Sequence, residues 1–317
     1  MWQVCPSLRG IEDRVLSMRS VIIAIVGIGL LLFLKLGGSE QLAERGGSAS
    51  SISVPRTVVC VNPAATEMIY AMGREDLLVA VSDYCDYPAQ AASKEKIGGV
   101  INPNLEKLAA LSPDLIILQG KSEVLAKFCQ LRGIEVLRLD LRNLKEILYG
   151  IQALGSRLGC SAAAEKLCGQ VTADLDELRR VLAASEKKSV FLSLYRTPGS
   201  LSGMTTVGPG TFLSEVIEVA GGSNVFGDLR QDYSPVSKES LLKRQPDIII
   251  EPCSPLPASA ETLAKTLQDW SKLPSLRAVQ RGQVFVIDAD LLLRPGPRLA
   301  RAARDLAKLI HPELFDD

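Results

Sequence analysis

Short runs of Val, Ile and Leu alternate along the chain with longer segments whose apolar residues recur at helical spacing. The apolar runs predict strands at 57–61, 77–82, 115–118, 136–139, 190–194, 247–250 and 284–287. The amphipathic segments predict helices at 64–72, 104–111, 123–131, 144–158, 162–184, 211–220, 238–243, 260–270 and 298–310. Alternation of this kind is typical of α/β units around a largely parallel sheet.

One predicted helix is longer than the others and separates two α/β blocks. The segment 161–186 contains no Pro, and Leu167, Val171, Leu175, Leu178 and Leu182 form a helical stripe along it. We therefore predict two Rossmann-like α/β lobes, at 56–160 and 187–313, bridged by this one long helix. Two such lobes that face each other would enclose a ligand cleft between them.

An internal repeat relates the two lobes. The segment Asn104–Ile117 aligns without gaps onto Ser237–Ile250, 133 residues later. Asn104 and Ser237 are good N-cap residues. The repeat therefore places Glu106 and Glu239 at equivalent positions in the first turn of a helix. There, an acid gains up to about 1 kcal/mol from the helix dipole, which alone could explain both residues.

A second pair of acids in the repeat has a simpler interpretation. Asp114 and Asp247 each follow a Pro, between a predicted helix and the strand after it. Asp is common in such connections because its side chain bonds to nearby backbone groups. We predict that both are turn residues.

The N-terminal segment is not expected to be part of the fold. Val21–Leu34 is free of charge, and three Arg residues precede it. Its length suits the core of a signal peptide better than a spanning helix of about 20 residues. We predict a signal peptide or membrane anchor at 1–38, with Met18 as a possible alternative start, and a Gly/Ser-rich tether at 39–55. The body would then lie outside the cytoplasmic membrane, cleaved or tethered.

Composition narrows the function further. Hydrophobic residues at 47% and charged residues at 23% are ordinary for a globular protein. The 36 basic and 36 acidic residues balance, which argues against a nucleic-acid partner. The only His, His311, excludes His-based triads and multi-His metal sites. This composition favours a binding protein over an enzyme.

The cysteines give no metal motif, since no pair has C-x-x-C spacing. An exported protein can form disulfides, and Cys160 with Cys168 is one candidate pair. Cys60 and Cys129 lie in apolar sequence, so we predict buried thiols there.

Three stretches resemble a known family. They are Asn62–Ile69 (NPAATEMI), Ser82–Pro88 (SDYCDYP), and Gly98–Glu106 (GGVINPNLE), which runs on to Pro113. Together they resemble the helical-backbone (class III) substrate-binding proteins of ABC importers, most closely the cobalamin-binding branch. Siderophore and haem binders are related branches. The resemblance covers residues 56–312.

The resemblance implies a function and partners. It implies an extracytoplasmic protein, not an enzyme, that captures cobalamin or another corrinoid and delivers it to a permease dimer with its ATPase subunits. No cofactor is implied, since the corrinoid is cargo, and the body is expected to be a monomer. In this family one Glu on each lobe docks onto arginines of the permease; the matching residues are Glu106 and Glu239.

The resemblance also implies a set of cleft residues. Aromatic and apolar walls with a few polar groups suit a corrin with amide-bearing edges. For each Tyr, simple packing or surface placement is an open alternative to a role in binding. For Asp290 and Arg294, the open alternative is a surface salt bridge. The implied ligand-binding residues are Tyr84, Gly99, Val100, Gln119, Tyr195, Tyr233, Asp290 and Arg294.

The sequence departs from the family pattern at several positions. Some relatives have Trp where this chain has Val100, Gln119 and Tyr233, and we place Trp270 on an outer helix. A disulfide found in some relatives would join positions held here by Ala220 and Ala307.

Other functions stay open at this stage. A ferric siderophore would need cleft cations, for which Arg196 and Arg294 are the candidates. Haem would need an axial ligand such as Tyr195. An enzyme is disfavoured, because Gly208–Gly210 is the only sign of an anion-binding loop. An anchored sensor or adhesion domain is a further alternative.

Overall fold

The computed structural model describes residues 53–254 and 259–315. They belong to the compact unit that begins at Val54. The signal peptide or anchor predicted at 1–38, and the tether up to residue 52, lie outside the described residues. Within the described ranges, no helix combines the length and apolar character that crossing a bilayer would require.

Lobe one is built on a five-stranded parallel sheet. Its strands are β1 (Val58–Cys60), β2 (Leu78–Val81), β3 (Glu95–Lys96), β4 (Leu115–Gln119) and β5 (Glu135–Leu139). The order across the sheet is β3-β2-β1-β4-β5. The central strands β1 and β4 are buried on both faces, as their unbroken apolar sequences predict for a sheet covered by helices on both sides.

The first four helices of lobe one connect successive parallel strands, and the fifth follows the last strand and leads towards lobe two. A 3-10 turn, Glu75–Leu77, leads into β2. Most of the helices begin at an Asn or Ser whose side chain accepts a backbone N–H of the first turn. They are α1 (Pro63–Ala71), α2 (Ala89–Ala92), α3 (Leu105–Leu111), α4 (Glu123–Arg132) and α5 (Leu144–Arg157).

The long helix α6 (Ser161–Val181) leads into lobe two. The lobe contains a parallel sheet in the order β11-β10-β6-β8 and a separate antiparallel pair, β7-β9. Its strands are β6 (Lys188–Leu192), β7 (Thr205–Val207), β8 (Gly222–Asn224), β9 (Tyr233–Pro235), β10 (Ile248–Cys253) and β11 (Val284–Asp288). Its helices are α7 (Phe212–Val219), α8 (Lys238–Arg244), α9 (Ala260–Trp270), α10 (Arg277–Gln280), α11 (Ala289–Leu292) and α12 (Leu299–Ile310), followed by a 3-10 turn, Pro312–Leu314.

One apolar layer runs through both lobes. The largest cluster of buried side chains contains Val58 and Ile117 of lobe one, Leu175 of α6, and Ile250 and Leu306 of lobe two. The lobes are also joined by hydrogen bonds where α5 and α7 begin. Phe212 N–H donates to Arg142 O (2.5 Å), and Leu144 N–H donates to a carboxylate oxygen of Glu215 (2.6 Å). The lobes therefore share a core.

The repeat seen in the sequence is a repeat in the structure. Helices α3 and α8 have the same length, and each begins at a residue, Asn104 or Ser237, whose side chain accepts the third N–H of the helix. Both helices end at a residue with positive φ, at Ser112 (42°) and Gln245 (49°). The left-handed conformation closes each helix in the usual way, but without the usual glycine.

Asp114 and Asp247 fasten each of these turns to the first strand of its own lobe. Asp114 Oδ2 accepts the N–H groups of Arg56 (2.7 Å) and Thr57 (3.0 Å). Asp247 Oδ2 accepts the N–H and the hydroxyl of Ser189 at 3.0 and 2.6 Å. The prediction that these acids serve the turn is confirmed.

The described cysteines are all free thiols, including Cys160 and Cys168, so the suggested disulfide between them does not form. Cys60 and Cys129 are buried, as predicted. Ala220 and Ala307 both lie in the shared apolar layer.

Candidate functional site

The carboxyl ends of the parallel strands carry the polar residues of the candidate site. In lobe one, Asn62 follows β1, Tyr84 follows β2, and Gln119 ends β4. In lobe two, Tyr195 follows β6 and Asp290 follows β11. Ligands of open parallel sheets bind at this edge, because the loops there converge at points where neighbouring connections leave on opposite faces. The structure thus places the predicted residues at the two matching edges.

In lobe one a hydrogen-bonded pair connects two strand ends. Asn62 Nδ2 donates to Gln119 Oε1 (2.7 Å), while Asn62 Oδ1 caps α1 by accepting Ala65 N–H (2.6 Å). The amide of Asn62 is therefore fixed from both sides, and it orients Gln119. The amide nitrogen of Gln119 is the group left for a ligand.

The loop after β3 lies against Tyr84. A Cβ atom added at Gly99 would come within 3.2 Å of Tyr84 Cε2, so the ring covers this glycine closely. Val100 O accepts the hydroxyl of Ser122, the N-cap residue of α4 (3.1 Å). Gly99 is therefore buried beneath the Tyr84 ring, and Val100 beside it is half-buried.

Tyr195 and Tyr233 belong to one small ribbon of lobe two. Tyr195 forms an antiparallel bridge with Thr205 of β7, and Tyr233 of β9 pairs with Val207 of the same strand. Tyr84, Tyr195 and Tyr233 are 66%, 61% and 51% exposed. None of the three is a core residue, so each has an aromatic face accessible to a ligand.

Arg294 lies in a cluster of acids. Its guanidinium contacts Asp86 (2.6 Å) and Glu67 (3.5 Å) of lobe one and Asp290 (3.1 Å) of its own lobe. The hydrogen bond from Arg294 lowers the pKa of Asp86. Burial alone would lower the pKa of Arg294, but its acidic partners outweigh burial and raise it. Arg294 is thus a contact between lobes and a fully compensated cation.

A second arginine extends this cluster. Arg298 donates from Nε and Nη2 to the two oxygens of Glu67 at 2.8 and 2.5 Å, a bidentate pair. Its guanidinium carbon also lies 3.7 Å from the centroid of the Tyr87 ring. Glu67 is only 3% exposed and belongs to α1 of lobe one. The sequence did not single out Glu67 or Arg298, because nothing local in the chain relates residues 231 positions apart.

Arg196, the other candidate cleft cation, is buried and paired twice. Nε donates to Glu251 Oε2 (2.8 Å) and Nη1 donates to Asp269 Oδ2 (2.7 Å). Trp270 Nε1 donates to the same oxygen of Glu251 (2.8 Å). Burial would lower the pKa of Arg196, but the two carboxylates outweigh it and raise the pKa.

Trp270 lies on an outer helix, as predicted: most residues of α9 are exposed. Its side chain is on the inner face of that helix, fully buried, and packs edge-on against Phe191, with ring centroids 6.0 Å apart. Trp270 therefore packs over β6 and β10 and does not supply an aromatic wall to the candidate site.

The two repeat-related glutamates are on the surface. Glu106 in α3 and Glu239 in α8 are both exposed. A hydrogen bond from its own backbone N–H, with one from the Ser237 hydroxyl, lowers the pKa of Glu239. Both carboxylates are accessible to a protein partner.

His311, the only His of the chain, is buried. In the sequence it lies well beyond the residues at the strand ends. Its Nε2 lies 3.1 Å from Gly221 O and its Nδ1 lies 3.1 Å from a carboxylate oxygen of Glu313. It closes the C-terminal turn. Among the described residues, no group of three or more His, Cys, Asp and Glu could hold a metal ion.

Comparison with known proteins identifies the family. A model of the periplasmic binding proteins matches residues 58–291. The chain belongs to the periplasmic binding protein family. The matched range begins at β1 and ends in α11, so it contains the sheets of both lobes and leaves α12 outside. The resemblance seen in the sequence motifs, and the two-lobed α/β fold it implied, are confirmed.

Individual relatives agree with this assignment. The vitamin B12-binding protein of Vibrio cholerae is 33% identical over 252 residues, which cover 78% of this chain and 87% of that protein. The crystal structure of the periplasmic vitamin B12-binding protein BtuF of Vibrio cholerae matches with a TM-score of 0.68 and 31% identity, covering 83% of this chain and 99% of that one. The periplasmic haem-binding protein BhuT, in complex with two haems, matches with a TM-score of 0.70, covering 83% and 100%, but at 22% identity it shows a shared fold only.

Proposed function

We propose that this protein captures cobalamin or another corrinoid outside the cytoplasmic membrane and delivers it to an ABC importer. Its family membership and relatives support the coarser role, a substrate-binding protein of such an importer. The choice of a corrinoid rests on one observation about charge. Arg196 and Arg294, the cations the sequence offers to the cleft, are both compensated by carboxylates.

This charge pattern disfavours an anionic ligand. The carboxylates of a siderophore or of haem lose hydration on binding and need cations in return. Arg294 would have to leave Asp86 to meet a ligand anion, and Arg196 would have to leave Glu251 and Asp269. A largely neutral ligand with amide edges needs no such exchange.

The exposed tyrosines suit the face of a corrin. Tyr84 of lobe one and Tyr195 and Tyr233 of lobe two supply flat apolar surface with a polar tip. Gln119, held by Asn62, supplies an amide for a ligand carbonyl. In this proposal the corrin lies between the lobes, with Gly99 and Val100 beside Tyr84 and with Asp290 at its rim.

Delivery requires a surface for the permease, and we assign it to Glu106 and Glu239. The two lie at equivalent positions of a structural repeat, so they suit a partner that has twofold symmetry. Exposed ion pairs contribute little each. Their expected effect is on orientation more than on affinity.

Haem is the alternative that one observation favours. Tyr195 is an exposed phenol on a loop after a strand, and Tyr is a known axial ligand of haem iron. His311, by contrast, is held in the C-terminal turn.

A single experiment separates these ligands. The purified protein is mixed in turn with cobalamin, cobinamide and haem, then desalted, and its visible absorption spectrum is recorded. We expect a corrinoid spectrum to stay with the protein. Retention of haem with loss of both corrinoids would overturn the proposal in favour of the haem alternative, and retention of none would overturn both.

A further inference from the structure

A cavity of about 370 Å³ opens in lobe two at the ends of two neighbouring strands. It is lined by the loop after β6, by the end of β10 and by one face of α9. Tyr195 is among its lining residues, so the cavity adjoins the candidate ligand site. The residues that matter here are Ser193, Tyr195, Arg196, Glu251 and Asp269.

Ser193, one of the lining residues, has a buried hydroxyl that is not used within the described structure. The residue is 1% exposed, and its Oγ has no hydrogen-bond partner among the described residues. A buried hydroxyl left unpaired has lost its bonds to water and gained none in return, which costs stability. A ligand group that bonds to Ser193 Oγ would remove this cost.

Glu251 presents an acceptor next to it. Side chains alternate between the two faces of a strand, so Ser193 shares a face with Phe191, and Glu251 shares that face with Ile249. The register pairs Ile249 with Phe191 and Ile250 with Leu192, which brings Glu251 beside Ser193. The hydrogen bonds from Arg196 Nε and Trp270 Nε1 both go to Glu251 Oε2, and in the described part of the chain Oε1 accepts none.

The charges around the cavity select the ligand group. Arg196 is compensated by Glu251 and Asp269, and Asp269 also pairs with Lys272 (2.6 Å). Lys265 also lines the cavity and pairs with Glu261 (2.6 Å) on the exposed side of α9. A carboxylate or phosphate would approach Glu251 and Asp269, and both cations of the described lining, Arg196 and Lys265, already have carboxylate partners. A neutral group that both donates and accepts would bond to the Glu251 oxygen and the Ser193 hydroxyl at once.

We infer that this cavity binds a primary carboxamide arm of the ligand. The amide N–H donates to Glu251 Oε1, and the amide carbonyl accepts from Ser193 Oγ. The volume is near the lower end of the about 300–1,000 Å³ of pockets that hold a whole small ligand, so an arm fits while the body of the ligand lies outside, against Tyr195. The inference rests on the proposed function, since a corrin carries such arms.

Calorimetric titration of the full chain tests it. The probes are cyanocobalamin and its b-, d- and e-monocarboxylic acids, in each of which one propionamide has become a carboxylic acid. We expect one of the three acids to bind about tenfold or more weakly than cyanocobalamin. In Ser193→Ala we expect cyanocobalamin to bind about tenfold more weakly, or about 1.4 kcal/mol, and the discrimination against that acid to shrink, as a coupled pair requires.

Ser214→Ala is the matched control. Ser214 is also a buried serine of lobe two, but its Oγ accepts Asn224 Nδ2 (3.0 Å). We expect Ser214→Ala to lower the unfolding temperature and leave affinity unchanged. Ser193→Ala should weaken binding and leave the unfolding temperature unchanged, because the Ser193 hydroxyl has no partner to lose among the described residues.

The outcomes separate the two proposals. If the unchanged protein binds cyanocobalamin and Ser193→Ala binds all four probes with the same affinities, the carboxamide site is overturned and the corrinoid function stands. Equal binding of the amide and all three acids by the unchanged protein also overturns the site. If the unchanged protein binds no corrinoid, the proposed function fails and the site fails with it.

Discussion

Arg298 of lobe two holds the carboxylate of Glu67 of lobe one in a bidentate ion pair, with both oxygens engaged at 2.8 and 2.5 Å. Glu67 is the more deeply buried partner, and Arg294 lies 3.5 Å from one of the same oxygens. Two arginines from one lobe thus converge on one acid of the other. This pair fixes the spacing of the lobes beside the candidate site.

Glu67→Ala should destabilise the protein strongly. Removing one member of a buried ion pair leaves the other without compensation, and such changes cost about 3 kcal/mol or more. Urea denaturation measures the free energy of unfolding. Glu177→Ala is the control, because Glu177 meets Arg304 only at 4.0 Å on the surface and its loss should cost less than about 0.5 kcal/mol. Equal effects of the two substitutions would contradict this view of Glu67.

Asp86 should make stability depend on pH in acid. The bond from Arg294 holds the pKa of Asp86 below its usual range. Its contribution is therefore present above the ordinary Asp pKa of about 3.9 and is lost as pH falls through the lower pKa of the folded protein. Because Asp86 is partly exposed, we expect a contribution below about 1 kcal/mol.

The measurement compares Asp86→Asn with the unchanged protein by thermal unfolding from neutral pH down into this range. The difference between them should be largest at neutral pH and should vanish in acid. Asp176→Asn is the control, since Asp176 pairs with Arg179 on the exposed face of α6. If the difference in stability between Asp86→Asn and the unchanged protein grew as pH fell, the predicted direction of the pH dependence would be wrong.

Glu106→Ala combined with Glu239→Ala should separate delivery from capture. We expect ligand affinity to stay the same and ATP-dependent uptake by the reconstituted importer to fall several-fold, because both carboxylates are exposed and neither is among the residues proposed to bind the ligand. Glu123→Ala is the control: it is another exposed first-turn acid, in α4, outside the repeat. Full uptake by the double variant would remove the docking role.

Tyr84→Ala and Tyr233→Ala should each weaken cobalamin binding about tenfold. Burial and stacking on one ring contribute about 1–2 kcal/mol, and 1.4 kcal/mol is about one decade in affinity. Calorimetry gives the dissociation constants. Tyr149→Ala removes an equally exposed ring from α5 and should change nothing. Unaltered affinity in both cleft variants would place the ligand elsewhere.

The two helix ends with positive φ should respond differently to glycine. Ser112→Gly relieves a left-handed conformation that disfavours a residue with a Cβ atom and gives up only one exposed bond, from Ser112 Oγ to Ala109 O (2.9 Å). It should still raise the free energy of unfolding, by up to about 1 kcal/mol. Gln245→Gly relieves the same strain but removes the side chain that donates to Leu242 O and Ser275 O and accepts Arg277 N–H. We expect Gln245→Gly to give no increase in the free energy of unfolding. A clear increase would mean that these three hydrogen bonds contribute little to stability.

Much of the fold could be predicted because local sequence patterns indicate most of its longer helices and strands. The predicted helix at 260–270 is Ala260–Trp270, and the predicted strand at 115–118 is Leu115–Gln119. The short strands β3, β7, β8 and β9 were not predicted. Each has only two or three residues, too few for a period to be read, and β7 and β9 exist because they pair with each other.

The residues of the candidate site that belong to sequence motifs could be predicted. The contacts between residues far apart in the sequence could not. Tyr84 and Gly99 were named from separate motifs, and the structure brings them into contact. The pairing of Arg196 with Asp269, 73 residues apart, left no local signal. From the sequence alone Arg196 could be an unpaired cation of the cleft. Only the tertiary structure shows that it forms ion pairs with two carboxylates.

Because the apolar layer is continuous, the two lobes should behave as one cooperative folding unit. Helix α6 and helix α12 contribute side chains to a cluster that also holds β1 of lobe one and β10 of lobe two. A species with only one lobe folded would expose the other side of that layer to water, at a cost that grows with the area uncovered. Heat or denaturant would therefore melt the lobes together, although each has a complete sheet of its own. The unit of cooperativity in this chain is larger than the unit that was duplicated.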